Sequence, residues 1–336
     1  MSKIDTVNWG IIGVGDVTEV KSGPAFYKIE HSNVVAVMRR DADKAADYAV
    51  RHGIGKWYDD ASELIDDPDI NAIYIATPPD SHASYAMAAM QAGKPVYVEK
   101  PMARTYTECV DMLRVSQQTG MPLWVAYYRR ALPAFLKAKE LIESGKIGWP
   151  VEVRVTLHWP AKEKSQSKQE MNWRVSPKVA GAGYFFDLAS HQFDYLDFVF
   201  GQVTGITGNA SNLGGLYAAE DTVTARWLHA SGITGKGSWS FIADEDDETD
   251  EIEITGDKGS ILLSCFEKPD ALKLKNDGGE TVFRFENPQH ISQHLVQQVV
   301  DELRGVGECA STGVSAACTS WVLEKVVKDY YAGRAE

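Results

Sequence analysis

The sequence predicts an α/β chain in two parts. Residues 1–126 read as a doubly wound parallel sheet, and 127–336 as an α+β part with a large, mostly antiparallel sheet. Three observations carry this. Apolar runs and helical stretches alternate through the first part, the pattern of a parallel sheet wrapped on both faces. A glycine turn follows the first apolar run directly. Beyond residue 200, short alternating runs are separated by turn residues, as in antiparallel strands with one face on helices.

The first apolar run, 7–12, leads into Gly13-Val14-Gly15-Asp16-Val17-Thr18. Strand, glycine turn and helix start make a dinucleotide-binding layout. Gly13 permits the tight turn, and Gly15, beside Asp16 and Val17, lets backbone approach a pyrophosphate at a helix N-terminus. Thr18 takes the third glycine position, and its branched side chain sets the helix farther from the strand. Alone, such a turn is not diagnostic. Gly23-Pro24 splits the following helix into two short pieces.

The second strand, 34–38, ends in Arg39-Arg40 where an acid would hold the ribose hydroxyls of NAD. A guanidinium pairs with a 2′-phosphate, so the arginines favour NADP(H); otherwise they are a solvated pair ahead of the helix 41–51. Arg40 could also lie flat on an adenine. A short segment, 56–58, precedes an acidic helix, 60–65. The fourth strand, 72–76, ends in Thr77-Pro78, which would border a cofactor. His82 reads as a hydrogen-bonding residue at the start of the next helix rather than as a catalyst.

Val96-Tyr97-Val98 then runs into Glu99-Lys100-Pro101. An apolar strand that ends in an acid and a base delivers both at the carboxyl edge of the sheet, where open α/β sheets bind ligands. In isolation the same pair reads equally as a surface ion pair. A cis Lys100–Pro101 bond is expected. A helix over 105–119 and a strand over 123–126 complete this part.

In the second part, a helix over 133–144 stops at Gly145, and 151–159 alternates as a first strand. Residues 161–179 read as a polar loop. A helix over 185–200 places Asp187 and His191 four apart on one face, with Asp194 on the adjoining turn. The turn Gly181–Gly183 just before it lets backbone come close to something. Seven alternating runs between 203 and 285 are strands, and 291–304 and 314–331 are amphipathic helices, the last expected to pack back on the first part.

Net charge is −13, which argues against nucleic acid and anionic membrane as partners. No apolar run has the roughly 18–20 residues of a membrane span. The polar start, residues 1–8, lacks a signal-peptide layout, so a cytoplasmic location is expected. Cys109, Cys265, Cys309 and Cys318 form no C-x-x-C pair and read as free thiols, with no metal site implied. The acidic run 244–251 reads as a solvated hairpin loop.

Gly13-x-Gly15, Arg39-Arg40-Asp41, Thr77-Pro78 with His82, and Glu99-Lys100-Pro101 stand in this order. Together with Tyr128-Arg129-Arg130, Trp173-Arg174, and Gly181-Ala182-Gly183 followed by Asp187 and His191, they resemble the Gfo/Idh/MocA oxidoreductases. That family is named for glucose–fructose oxidoreductase and inositol dehydrogenase. The resemblance covers most of the chain, and the Glu-Lys-Pro motif with a downstream Asp-x-x-x-His is its specific part. It implies a Rossmann domain, then an α+β domain whose sheet keeps one open face, through which such proteins commonly form homodimers or homotetramers. It also implies a nicotinamide cofactor, for which Arg39-Arg40 make NADP(H) preferred and NAD(H) possible. His82, Glu99 and Lys100 join the cofactor set, with Trp173 and Arg174 near the nicotinamide half. The implied substrate is a sugar or polyol, with Tyr127, Tyr128, Arg130 and His158 as pocket residues beside Asp187 and His191.

Hydride exchange at a carbinol carbon needs a partner that gives or takes the proton on oxygen. Lys100 and His191 are the candidates, with Asp187 orienting His191 and Glu99 fixing Lys100. Two other readings use the same fold. One is a glycosidase that oxidises its substrate transiently and keeps its cofactor. The other is a non-catalytic ligand sensor, against which Lys100 and His191 both count.

Overall fold

The computed structural model describes residues 3–161 and 172–332, which divide into two compact units. In the first, β1 (Val7–Ile12), α1 (Gly23–Lys28), β2 (Ser32–Met38), α2 (Ala42–His52), β3 (Lys56–Tyr58) and α3 (Ala61–Asp66) are followed by β4 (Ala72–Ile75) and α4 (His82–Gln91). β5 (Val96–Val98), α5 (Tyr106–Thr119) and β6 (Leu123–Val125) follow. The sheet runs β3-β2-β1-β4-β5-β6, every neighbour parallel. Strand order reverses between β1 and β4, and ligands bind such sheets at the carboxyl edge there.

Sequence explains the local choices. Asp41, Asp60 and Thr105 each cap a helix by accepting a backbone N–H, and Gly53 and Gly120 end helices in the left-handed conformation. Trp9, Tyr74 and Tyr97 from three neighbouring strands form an aromatic layer with Phe26 of α1, ring centroids 4.5–6.1 Å apart along the stack. Phe26 is wholly buried, which contributes about 1.5–3 kcal/mol.

The first unit runs to Tyr128 and resumes over Pro288–Ala317, which corrects the expected single cut after Ala126. Backbone bonding decides this. Val125 N–H donates to Ser311 O at 3.2 Å, and Trp124 bridges Thr312. The Trp124 indole donates to Glu302 at 3.0 Å. Lys28 Nζ donates to His290 Nε2 at 2.8 Å, so His290 Nδ1–H donates to Val20 O at 2.7 Å. The helix Gly313–Tyr331 is divided, its first turns counted with this unit and Cys318 onward with the second.

The second unit opens with α6 (Pro133–Glu143) and β7 (Pro150–Pro160). The loop expected over 161–179 contains a 3₁₀ turn, Trp173–Val175, and a short helix, α7 (Pro177–Ala180); residues 162–171 lie outside the described residues. α8 (Ser190–Phe200) is preceded by a π-helical turn, Phe185–Ala189. Then come β8 (Val203–Ser211), β9 (Thr222–His229), β10 (Thr234–Ala243), β11 (Thr249–Gly256), β12 (Gly259–Leu263), β13 (Ala271–Asn276) and β14 (Gly279–Arg284). The sheet order is β14-β13-β12-β11-β7-β10-β9-β8, parallel only between β7 and β10. α8 covers one face. Its Phe193 ring packs on Trp227 and Trp239, and Trp239 donates its indole N–H to Gln192 at 2.7 Å. The other face is open and polar.

Candidate active site

The three motifs of the first unit end β1, β4 and β5 on one sheet edge. Gly13 sits at φ 97°, and a Cβ there would fall 2.5 Å from Thr77 Cγ2, so the turn and the β4 loop require glycine. Beside Gly15 nothing lies within 4 Å of where a Cβ would be, an open cradle that fits a pyrophosphate. Thr18 is buried. Its hydroxyl accepts from Gly15 N–H at 2.9 Å and donates to Gly15 O at 2.8 Å. The helix therefore begins as a π turn, Val17–Lys21, and restarts at Gly23, whose missing Cβ would overlap Thr18 O. Asp16 is exposed at the head of that turn.

Arg39 donates to Val14 O at 3.1 Å and so lies over the glycine turn, while Arg40 is exposed. Asp41 is occupied: it caps α2 through Lys44 N–H and pairs with Lys44 Nζ. The hydrogen bond from Lys44 lowers its carboxyl below the usual range. The acid beside the arginines is thus committed to the helix.

His82 corrects its assignment as a cofactor ligand. It is wholly buried, and both ring nitrogens meet backbone carbonyls, Thr77 O at 2.7 Å and Pro101 O at 3.0 Å. It ties the loop after β4 to the loop after β5. Burial pushes its pKa down.

Glu99 and Lys100 are half-buried at the end of β5, and the Lys100–Pro101 bond is cis, as expected. Tyr74 donates its hydroxyl to Glu99 Oε1 at 2.7 Å and lies 2.8 Å from Ser22 Oγ. The other carboxylate oxygen accepts Lys100 N–H at 3.2 Å. A buried tyrosine of β4 therefore orients the acid beside the lysine. Tyr127, expected in a substrate pocket, is wholly buried in the core of this unit, whereas Tyr128 keeps some exposure.

In the second unit Asp187 pairs with Arg174 Nε at 3.2 Å, and the Arg174 guanidinium stacks 4.4 Å over the Trp173 ring. The Trp173-Arg174 pair and Asp187, singled out separately, thus form one cluster, and the ion pair of Asp187 was not foreseen. His191, 4% exposed, stands one turn further on. The turn before this helix brings backbone close to another segment, as expected. Gly183 donates its N–H to Glu220 Oε1 at 2.9 Å, and a Cβ there would fall 2.8 Å from Glu220 O. The close approach is to the 219–220 segment of the same unit.

Arg130 is a further correction. It is buried and holds Asp194 through two bonds of 2.8 Å, with Asp197 at 3.3 Å. The pair braces α8 against the start of the unit, and removing one partner would cost about 3–5 kcal/mol. His158 is corrected as well. Side chains alternate along β7, so His158 shares the open face with Thr156 and bonds Ser238 at 3.0 Å. Its neighbour Trp159 takes the parity of buried Val153, Val155 and Leu157, the face that α8 covers.

Trp159 and Phe266 are the residues that sequence reasoning missed. Their rings meet edge to face at 5.3 Å, and the His191 ring lies 6.0 Å from Phe266 at 73°. Asp250 builds the turn that carries Phe266. It accepts from Ser264 Oγ at 2.5 Å and from the N–H groups of Cys265, Phe266 and Glu267 at 2.6–3.1 Å. Arg129 donates to Cys265 O at 2.6 and 2.9 Å with its guanidinium 4.5 Å over the Phe266 ring. The acidic run is therefore only partly a solvated loop: Glu245–Asp247 is an exposed turn, but Asp250 is buried. Its phase with Ile252 and Ile254 was the available signal.

Residues 7–127 match the oxidoreductase family with an NAD-binding Rossmann fold, and residues 135–262 match the GFO/IDH/MocA C-terminal domain. The chain is 40% identical over 294 residues to oxidoreductase P35 of Formosa agariphila, spanning 88% of this chain and 90% of that one. The chain belongs to the Gfo/Idh/MocA oxidoreductases. This family member is also 27% identical over 334 residues to 1,5-anhydro-D-fructose reductase of Ensifer adhaerens, with 97% of each chain covered. Its fold matches that of a levoglucosan dehydrogenase solved with NADH and levoglucosan, at a TM-score of 0.86 and 24% identity over 97% of this chain and 98% of that one. It is an oxidoreductase, a dehydrogenase or reductase with an NAD-binding domain. Among the described residues no helix is long and apolar enough to cross a membrane.

Proposed function

We propose that this oxidoreductase interconverts a carbinol and a carbonyl carbon of a sugar or polyol, with NADP(H) preferred and NAD(H) accepted. The observation that carries the reading is Lys100, held at the carboxyl edge of β5 by the Tyr74–Glu99 pair, on the edge that also bears the glycine turn. Gly13, Gly15, Val17, Thr77 and Pro78 would hold the dinucleotide, and a bound nicotinamide supplies the hydride chemistry. Lys100 and His191 exchange the proton at the substrate oxygen, and the Asp187–Arg174–Trp173 cluster steadies the helix start that carries His191. Relatives named for an anhydro sugar support the substrate class.

The NADP(H) preference rests on Arg39 and Arg40, with Asp41 already committed to α2. Assembly into a homodimer or homotetramer through the open sheet face belongs to the same proposal. That face sets Arg226, Lys236 and Arg154 side by side across three strands, bordering a concavity of about 610 Å³. Glu152 of the same face pairs with Lys236 at 2.9 Å, while Arg226, directly opposite Lys236, adds a second like charge there.

The test is turnover, read at the reduced-nicotinamide band, across sugars, inositols and their keto forms with both cofactors. Lys100→Ala and His191→Ala should each lower kcat by about 10²–10⁴-fold without loss of cofactor binding. Near-normal turnover in Lys100→Ala would remove the assignment.

A further inference from the structure

The second unit devotes two buried charged side chains to a single aromatic ring. Asp250 is 6% exposed and Arg129 3%, and both are committed to the turn that carries Phe266. Closing a connection between two antiparallel strands needs neither group; short turns do so with backbone bonds alone. What the two achieve is to fix Phe266 in place. One ring face lies under the Arg129 guanidinium, and the ring stands next to His191 and to Trp159, the last inward residue of β7. The clamping groups are buried, yet Phe266 and Trp159 both keep part of their surface exposed. This is the composition of a small-molecule site: rigid aromatic surface beside a few placed polar groups.

We propose that Phe266 and Trp159 form a stacking wall for the C–H face of a cyclic sugar beside His191, and so favour ring substrates over open-chain polyols. The inference rests on the sugar reading above and adds the part of the substrate that is recognised. A sugar ring presents several C–H bonds on one face, and these are attracted to the negative face of an aromatic ring. An open-chain polyol presents no such flat apolar face. Phe266 thereby acts on binding, while the proton at oxygen belongs to the imidazole next to it.

The experiment compares the full-length parent with Phe266→Leu, Trp159→Leu and Phe266→Tyr, using levoglucosan and D-glucose as cyclic probes and D-sorbitol as the open-chain probe. Phe266→Leu and Trp159→Leu should each raise KM for the cyclic probe that the parent turns over by about 2–10-fold. They should leave its kcat, the KM for sorbitol and the cofactor dissociation constant within twofold. Phe266→Tyr keeps the ring and should keep the parent KM, which separates loss of the aromatic face from damage to the fold. Equal losses on cyclic and open-chain probes, or a fall in kcat at constant KM, would overturn the stacking assignment while the sugar reading stands. A parent that turns over sorbitol but neither cyclic probe would overturn the stacking assignment and leave the sugar or polyol reading standing.

Discussion

Glu220 is a buried joint whose strength should depend on pH, and Glu220→Gln should remove that dependence. The carboxyl is wholly buried between Gly183 N–H at 2.9 Å and the Tyr331 hydroxyl at 2.5 Å. Desolvation raises its pKa to about 7, against the hydrogen bonds from Tyr331, Gly183 and its own backbone that lower it; neighbouring Asp221 raises it further. An unfolded glutamate titrates near 4.5. The folded state therefore holds the proton more tightly, so stability is fully present below about pH 4.5 and is lost as pH rises towards about 7. The difference corresponds to about 3 kcal/mol. Glutamine reproduces the neutral acid: its oxygen accepts Gly183 N–H and its amide donates to Tyr331. Parent and variant should be equally stable below about pH 4.5, and the variant more stable by about 3 kcal/mol at pH 8. A chain of two units need not unfold in one step, so the assay should be local. Hydrogen exchange at Gly183 N–H, compared between proteins at equal pH, should be about 100-fold slower in the variant at pH 8. A difference that stays flat from pH 5 to pH 8 would refute the argument.

Two further outcomes follow from the first unit. Arg39→Asp should weaken NADP(H) far more than NAD(H), measured as dissociation constants; equal effects would show that Arg39 does not read a 2′-phosphate. His82→Leu removes the imidazole that lies between Thr77 O and Pro101 O, whose single N–H satisfies one of them, at about 1–3 kcal/mol, and should weaken cofactor binding by loosening two loops on one sheet edge. An unchanged melting temperature together with unchanged cofactor affinity would rule out the tie.

The alternation of apolar runs with helices and the residues closing each run were sufficient to place Gly13, Thr77 and Lys100 on one edge, because a parallel sheet delivers every strand end to the same side. The Arg39-Arg40 pair and the helix caps were local for the same reason: each acts within a few residues of its own position. Parity along a strand was also legible. It would have pointed to Trp159 rather than His158 and singled out Asp250 within its acidic run, since a shift of one residue turns a side chain to the opposite face.

Tertiary structure alone decided the rest. Nothing near Arg130 in the chain reveals Asp194, nothing near Gly183 reveals Glu220, and nothing near His191 reveals Phe266. Burial settles what such groups do. A guanidinium or carboxyl withdrawn from water must find a partner wherever the fold supplies one, and that partner lies at a distance along the chain that composition and periodicity do not encode.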